Sequence, residues 1–307
     1  MNANLQSQVE PHISIHPATR IGRVHLTVAG LDRQIAFYQD VLGFKLHWRE
    51  GNTAGLGAGR QDFLRLTEVP GARRVRGTTG LYHFAVLFPN RRELARAIGR
   101  LFALRYRNYP TDHVMTKTTY LDDPEGQNIE LYADTPEDGS FGFVDGVPIA
   151  RRANGAPSDG REPLDVEALL RELAPEDRLD EPMPPDTSIG HVHLYVADLD
   201  ASMRFYHDIL GFDDMGMARA FRMGMVSTGG YHHHIGFNTW GGEGAPPPPP
   251  NALGLRDFTV ILPDTAELEQ VVARIQQAGI PTEQTEAGIL VRDPSQNGVV
   301  LTAGNRQ

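Results

Sequence analysis

Two stretches of this chain are near copies of each other. Residues 21–44 (IGRVHLTVAGLDRQIAFYQDVLGF) recur as residues 189–212 (IGHVHLYVADLDASMRFYHDILGF). Two further matches follow: GLYHFAVLFPNRRELARAI (80–98) resembles GLRDFTVILPDTAELEQVV (254–272), and DDPEGQNIEL (122–131) resembles RDPSQNGVVL (292–301). Repetition of this kind constrains the fold, because each copy must form the same structural unit. The chain therefore has two duplicated halves, and each half contains two related units.

Each unit has the same pattern of elements. A short alternating strand such as VHLTV or HFAVL comes first, and a loop then leads into an amphipathic helix, as in Leu31–Leu42. The helix ends at a glycine, Gly43 or Gly211, which is the usual C-terminal signal. Further short strands separated by Gly and Pro complete the unit. The sequence thus predicts an α+β fold of four βαβββ modules in two duplicated halves.

The composition between the repeats indicates where the halves meet. We expect an N-terminal half at 19–135 and a C-terminal half at 187–305, each with two modules. The segment 136–186 is rich in Gly, Pro and charged residues, which predicts a linker with one short helix at Asp165–Leu173. Residues 241–251 (GGEGAPPPPPN) predict a stiff polyproline connector between the third and fourth modules.

Charge and composition narrow the classes of function. The formal net charge of −10 argues against nucleic acid or an anionic membrane as a partner, and the absence of cysteine excludes disulfides and thiolate ligands. The chain has no apolar run near the roughly 20 residues that a membrane helix needs, and MNANLQSQVEPHIS lacks the apolar core of a signal peptide. We expect a cytoplasmic protein that binds small molecules. The sequence is compatible with a monomer or a homo-oligomer.

The stretch TYLDDPEGQNIELY (119–132) contains a carboxylate in an unusual place. Asp123–Gly126 predicts a chain reversal, because proline fixes φ and glycine tolerates positive φ. The following residues predict a strand in which Glu130 points to the face opposite Ile129 and Leu131. A carboxylate within such a strand either faces solvent or is held by a partner.

Paired βαβββ units resemble the vicinal oxygen chelate superfamily, which includes glyoxalase I, extradiol catechol dioxygenases and bleomycin-resistance proteins. The resemblance covers nearly the whole chain outside the termini and the linker. It implies that modules pair into curved sheets around a metal cleft, with ligands from the first and last strands. The equivalent first-strand positions hold Arg23, His83, His191 and Asp257, and the last-strand positions of modules two and four hold Glu130 and Val300.

Elementary ligand chemistry selects among these positions. Arg23 stays protonated and has no acceptor, and Val300 has no donor atom. Modules one and four are therefore poor metal sites. Modules two and three together supply His83, Glu130 and His191, the two imidazoles and one carboxylate typical of non-haem iron(II), with manganese(II) as an alternative. This set requires modules two and three to pair. The alternative is that consecutive modules pair and that His25 replaces Arg23.

The stretch DHVMTKTTYLDDPEGQNIE (112–130) resembles the extradiol dioxygenase signature, a His, a Tyr, Asp-Pro-x-Gly and then the ligand Glu. Here these are His113, Tyr120, Pro124, Gly126 and Glu130. The sequence departs from the signature at Thr119, where a large apolar residue is expected. The resemblance implies that His113 and Tyr120 lie near the metal and exchange protons with the bound substrate.

The run YHHHIGFN (231–238) resembles the strand of these enzymes that carries an acid–base histidine near the dioxygen site. The order of the match favours His233 for this role. Strand alternation alone leaves two options, since His233 points to one face while His232 and His234 point to the other.

Several other side chains have both a structural and a functional interpretation. His25 and His193 either line a pocket or pack, and Asp257 is expected to be solvated or to act as a cap. We expect Phe237 and Trp240 to pack, with stacking on an aromatic ligand as the alternative. Four methionines are expected to fill gaps in the core: Met215, Met217, Met223 and Met225.

Together, the segments GLYHFAVL, DPEGQNIELYAD, IGHVHLYVADL and GGYHHHIGFNTW resemble the two-domain, CatE-type catechol 2,3-dioxygenases. This implies an iron(II)-dependent extradiol dioxygenase that acts on a small aromatic diol with dioxygen. One alternative is a glyoxalase-type isomerase or lyase, which usually needs a second carboxylate ligand where we expect a histidine here. The other is a non-catalytic binding protein of the bleomycin-resistance kind, which needs no metal ligands.

Overall fold

The structure is a computed structural model that describes residues 13–304. Residues 1–12 and residue 305 of the predicted C-terminal half lie outside this range. The α+β class and the four βαβββ modules are confirmed. The first two modules contain β1 (Arg20–Val28), α1 (Leu31–Ala36), β2 (Lys45–Glu50), β3 (Thr53–Ala58), β4 (Gln61–Glu68), β5 (Gly80–Leu87), α2 (Arg91–Ala103), β6 (Tyr109–Asp112), β7 (Thr116–Asp122) and β8 (Asn128–Asp134).

The segment between the halves is more structured than the predicted linker. A short helix is present, and Asp165 caps it by accepting a hydrogen bond from the Ala168 amide at 2.9 Å. Four strands accompany the helix. Two of them form a hairpin, because Asp145-Gly146 makes a tight turn with positive φ at both residues (51° and 75°) between apolar stretches. These elements are β9 (Gly139–Val144), β10 (Val147–Arg152), β11 (Pro157–Ser158), β12 (Glu162–Pro163) and α3 (Val166–Leu170).

The C-terminal half repeats the order of the first half. Its elements are β13 (Ser188–Tyr195), α4 (Leu199–Met203), β14 (Asp213–Ala218), β15 (Met223–Ser227), β16 (Ile235–Asn238), β17 (Gly254–Leu262), α5 (Thr265–Gln277), β18 (Thr282–Thr285), β19 (Gly288–Arg292) and β20 (Gly298–Ala303). The first helix of each half continues as a π-helical turn, Phe37–Val41 or Arg204–Ile209. Glycines with positive φ, Gly43 at 79° and Gly211 at 92°, follow these turns as predicted. No helix among the described residues is long and apolar enough to cross a membrane.

The modules pair through their first strands, and the inner two modules pair with each other. Modules two and three form a nine-stranded sheet in the order β12-β6-β7-β8-β5-β13-β16-β15-β14, in which β5 and β13 are antiparallel. Modules four and one form an eight-stranded sheet in the order β18-β19-β20-β17-β1-β4-β3-β2. The alternative of consecutive pairing is therefore wrong.

In each of two contacts between the sheets, the Asp-Pro turn of one module lies against the loop between the first strand and the helix of another module. In module three the side chain of Asp198 caps its own helix α4 at the Ala201 amide, 2.8 Å away. Module one has Gly30 at the same repeat position and lacks such a cap. The Glu125 carboxylate from the module-two turn accepts hydrogen bonds from the amides of Ala29 (2.9 Å) and Gly30 (3.0 Å), which lie just before this helix. Glu125 thus links the two sheets.

Replacing Glu125 with alanine removes the acceptor for two backbone amides, and unmade hydrogen bonds at such buried groups cost about 1–3 kcal/mol. We expect Glu125→Ala to lower the free energy of unfolding by that amount in urea denaturation followed by circular dichroism. Glu286→Ala, at an exposed turn position, is the matched control and should change little. Equal stability of both variants would show that the Glu125 contacts contribute nothing.

Candidate metal centre

Three predicted ligands lie on one face of the nine-stranded sheet. The ladders place Ala85 of β5 between His191 of β13 and Glu130 of β8, so that these three residues form one row across the sheet. His83 lies two residues before Ala85 and therefore points to the same face. Because the alanine side chain is small, the longer side chains on either side converge above it.

The convergence is close. The Glu130 Oε2 atom lies 3.2 Å from His83 Nε2 and 3.1 Å from His191 Nε2, and the two imidazole nitrogens are 3.4 Å apart. Donors held about 2.1 Å from one metal ion at right angles are about 3.0 Å apart. All three residues are buried, and they form a metal-compatible group within the described chain. The geometry therefore fits one cation bound on three adjacent sides.

The charge states of the three groups also suit a cation. Burial lowers the pKa of His83 to about 3 and also lowers the pKa of His191, so both rings are neutral near pH 7. Burial alone would raise the pKa of Glu130, but the neighbouring imidazoles of His191 and His83 outweigh it and hold the pKa below its usual range. The site thus offers two neutral imidazole rings and one carboxylate that is already ionised, so the carboxylate does not have to lose a proton before a cation binds.

The unused ring nitrogens provide a further test of the fit. The Nδ1 atoms of His83 and His191 are buried and have no hydrogen-bond partner among the described residues. Both Nε2 atoms face the same carboxylate oxygen of Glu130. If both rings donated a hydrogen bond to it, their two N–H groups would point at each other across the short distance between the rings. A cation between the three atoms removes this conflict. The residues present therefore fit a metal better than they fit a hydrogen-bonded cluster.

His113 and Tyr120 lie beside this group, as predicted. The His113 Nδ1 atom donates to the carbonyl of Gly160 at 2.5 Å, and because a carbonyl only accepts, the proton is on Nδ1. The Nε2 atom then accepts from the Tyr120 hydroxyl, 2.9 Å away. The Tyr120 ring centroid lies 5.7 Å from that of His83, and burial next to Glu130 raises the pKa of Tyr120 well above its usual value. Gly160 belongs to the segment predicted as a linker, and no sequence signal pointed to its role.

The histidine run lies on the other side of the group. The ring of His233 is 4.1 Å from the ring of His191, and burial lowers the pKa of His233 well below its usual value. His232 is also close, with ring centroids 6.0 Å apart, whereas His234 points away and bonds to Ser227. The alternation argument is incomplete here, since these residues precede β16, which begins at Ile235.

A hydrogen-bonded chain leads from His233 toward the protein surface. Its Nδ1 atom lies 2.8 Å from His232 Nδ1, and His232 Nε2 lies 3.3 Å from Asp134 Oδ1. The Asp134 side chain is 34% exposed and also accepts from the Tyr231 hydroxyl. Neither the sequence pattern nor the repeat indicated Asp134.

Aromatic side chains form one wall of the cleft. His193 lies opposite His83 in the ladder, and its ring contacts Tyr82 and Trp240 at centroid distances of 5.2 and 5.6 Å. Tyr82 also contacts Tyr195 at 5.3 Å. His193 and Trp240 are thus cleft residues, whereas Phe237 is fully buried against Tyr206 in the core.

The remaining predictions concern residues away from the cleft. His25 lies in the eight-stranded sheet, where it bonds to Asp257 at 3.1 Å and Thr67 at 2.8 Å, so it is no part of the group. Asp257 is therefore a hydrogen-bond partner of His25 and not simply a solvated or capping carboxylate. The methionines pack as predicted, although not all in one cluster. Met215, Met223 and Met225 pack with Ala218, Phe141, Phe143 and Trp240, whereas Met217 packs against the main hydrophobic core.

Comparison with protein families gives the class to which this architecture belongs. The model of the glyoxalase/bleomycin resistance protein/dioxygenase superfamily matches residues 20–131 and 188–301. The chain belongs to this superfamily. A curated relative, the catechol-2,3-dioxygenase of Bacillus subtilis (strain 168), is 41% identical over 284 residues, which cover 92% of this chain and 96% of the relative.

Solved structures agree on the fold. A Bacillus subtilis protein described as a dioxygenase superposes with a TM-score of 0.63 at 13% identity, covering 96% of this chain and 87% of the other. Glyoxalase I from Zea mays gives a TM-score of 0.52 at 19% identity, and 92% of each chain is covered. At these identities the likeness concerns the architecture alone.

If the group holds a metal, the carboxylate is its only anionic donor. We expect Glu130→Gln to reduce the iron(II) retained after anaerobic loading and desalting by at least about tenfold, because a neutral amide binds cations weakly. We also expect iron(II) at about 100 times its Kd to stabilise the unchanged protein by about 2.7 kcal/mol. Glu283→Gln, on an exposed edge strand, is the matched control. Full iron retention by Glu130→Gln would contradict the site.

Proposed function

We propose that the chain is an extradiol ring-cleaving dioxygenase of the catechol 2,3-dioxygenase type. The observation that carries the proposal is the convergence of His83, Glu130 and His191 between two sets of proton-exchanging side chains. The 41% identity to a catechol-2,3-dioxygenase over most of both chains supports the same reaction. The substrates are a small aromatic diol and dioxygen.

The proposed cofactor is iron(II), with manganese(II) as the alternative. Three protein donors on one side leave open positions for both catechol oxygens and for dioxygen. When bound, the metal supplies the electron transfer that lets dioxygen react with the ring, and the protein supplies orientation and proton transfer. His83, Glu130 and His191 hold it by Nε2, one carboxylate oxygen and Nε2.

His233 is the proposed base on one side of the cleft. Its ring is neutral, because burial disfavours the charged form, and its Nδ1 atom is engaged by His232. The Nε2 atom of His233 is therefore the atom that accepts a proton from a hydroxyl group of the catechol. His232 and Asp134 fix the orientation of the His233 ring.

His113 and Tyr120 act on the opposite side of the cleft. The Gly160 carbonyl fixes the tautomer of His113, so the Tyr120 hydroxyl donates to His113 and its oxygen is left to accept from a substrate hydroxyl. The raised pKa of Tyr120 keeps this hydroxyl protonated. The pair therefore orients one catechol oxygen and returns a proton to the ring-opened product.

The glyoxalase alternative needs a second carboxylate at the position in module three that corresponds to Glu130. Ladder register gives Gly236 there, beside His193 of β13, and this corrects the histidine expected from the sequence. A side chain at Gly236 would meet the His193 ring at 3.1 Å. The non-catalytic alternative gives no reason to bury a carboxylate between two neutral imidazoles. Both alternatives are therefore disfavoured.

The reaction can be tested directly. Protein loaded with iron(II) and catechol under argon should produce the yellow semialdehyde product when oxygen is admitted, followed by absorbance and oxygen consumption. Protein loaded with zinc is the control and should give no product, because zinc has no redox chemistry. Turnover of a glutathione–methylglyoxal adduct with nickel or zinc, without ring cleavage, would establish the glyoxalase alternative instead.

The two proton-exchanging positions give a separate prediction. We expect His233→Gln and Tyr120→Phe to lower kcat by about 10²- to 10⁴-fold, the range for loss of an acid–base group, while iron content stays unchanged. Tyr109→Phe is the matched control, because this tyrosine is half exposed on β6. If kcat stays within a factor of two in both variants, the assigned roles are wrong.

A further inference from the structure

The eight-stranded sheet carries a second group of polar side chains at the position equivalent to the metal cleft. We call it the outer cleft, and its central row is Arg23, Thr259 and Val300. By the repeat these correspond to His191, Ala85 and Glu130, and the ladder pairs Thr259 with Val300. The metal ligands are gone, but the row has kept a polar character.

Charged side chains surround this row. Arg65 of β4 and Asp257 of β17 lie on either side of His25 in the ladders, and Asp62 lies beside Trp48 and Gly55. None of Arg23, Arg65, Asp62 and Asp257 is fully buried, so the cleft is open to solvent. Arg65 rests over the Trp48 ring at 5.2 Å, which fixes the guanidinium plane.

Most of these polar groups have no partner. The buried Nε atom of Arg23 has no hydrogen-bond partner among residues 13–304, although Asp62 and Asp257 lie near enough to favour its charge. The buried atoms Arg65 Nε, Asp62 Oδ2, Asp257 Oδ1 and Thr259 Oγ1 also lack partners among the described residues. Unsatisfied buried donors and acceptors are rare in folded proteins, and several in one cleft indicate a ligand that supplies the missing bonds.

The unpartnered donors and acceptors indicate which chemical groups a ligand must have. The guanidinium groups of Arg23 and Arg65 offer forked donors that match a carboxylate, and their mutual repulsion falls when an anion lies between them. Burial and Arg65 both lower the pKa of Arg23, in agreement with such repulsion, whereas Asp257 and Asp62 raise it. Asp62 and Asp257 offer acceptors that would repel a second anionic group but would bind a hydroxyl. A ligand with one carboxylate and one hydroxyl satisfies both sets.

We propose that the outer cleft binds a small hydroxylated carboxylate, with its carboxylate on Arg23 and Arg65 and its hydroxyl on Asp62 or Asp257. Arg23 and Val300 stand where the metal cleft has His191 and Glu130, so this binding does not depend on the ring-cleaving reaction. In this proposal modules one and four bind a ligand, and modules two and three carry out the proposed reaction.

Isothermal titration calorimetry of metal-loaded protein with 4-hydroxybenzoate tests the proposal, because this probe cannot chelate a metal through adjacent oxygens. We expect one binding site, and at least tenfold weaker binding of benzoate and of phenol, which each lack one of the two groups. Arg23→Gln and, as a second variant, Arg65→Gln should each weaken binding of 4-hydroxybenzoate at least tenfold. Arg178→Gln, an exposed arginine in the segment between the halves, should leave it unchanged.

A variant of the metal cleft distinguishes the two sites. His191→Ala should keep the affinity for 4-hydroxybenzoate, because the outer cleft lies in the other sheet. Loss of binding in His191→Ala with retention in Arg23→Gln would place the probe in the metal cleft and overturn the proposal. Absence of any binding up to 10 mM, or equal affinity for phenol, would overturn it as well.

Discussion

The antiparallel ladder between β5 and β13 joins strands from the two halves of the chain, and the metal cleft depends on it. Its register sets His191 beside Ala85, and the parallel ladder from β5 to β8 sets Glu130 on the other side of the same alanine. A shift of the ladder by one residue would turn His191 toward the opposite face of the sheet. Apolar neighbours such as Phe84 and Val192, both fully buried, hold the register, because either would be exposed after a shift.

The same architecture explains why one cleft suits a metal and the other does not. In the inner sheet a small alanine lets three donors meet, and a buried carboxylate between two neutral imidazoles is expensive unless a cation compensates it. In the outer sheet Thr259 takes the place of the alanine, and Arg23 brings its own positive charge. The duplicated sheets therefore carry equivalent rows of residues, and the different side chains in these rows allow a metal in one and disfavour it in the other.

Much of this arrangement could be predicted from the sequence, and the limits have physical causes. The repeats fixed the modules, and elimination of Arg23 and Val300 as ligands selected the inner pair, because ligand chemistry depends on residue type alone. The histidine run needed the backbone, since strand alternation does not hold for residues that precede β16. The Gly160 carbonyl was unpredictable, because any residue offers that group and only the packing of the segment 136–186 brings it to His113. The Asp145-Gly146 turn was a usable hairpin signal within that segment.

The contacts between sheets show how the duplicated halves came to depend on each other. Asp198 caps its own helix, and the Ser295 hydroxyl of module four accepts a hydrogen bond from the Ala197 amide at 2.9 Å. In the other half Gly30 offers no side-chain cap, and Glu125, at the position of Ser295, accepts from the amides of Ala29 and Gly30. Glu125 lies in the turn that leads directly into the strand of Glu130, so the bond that closes the outer module also holds one end of the proposed ligand strand. The fold of the outer pair is therefore a structural condition for the cleft of the inner pair.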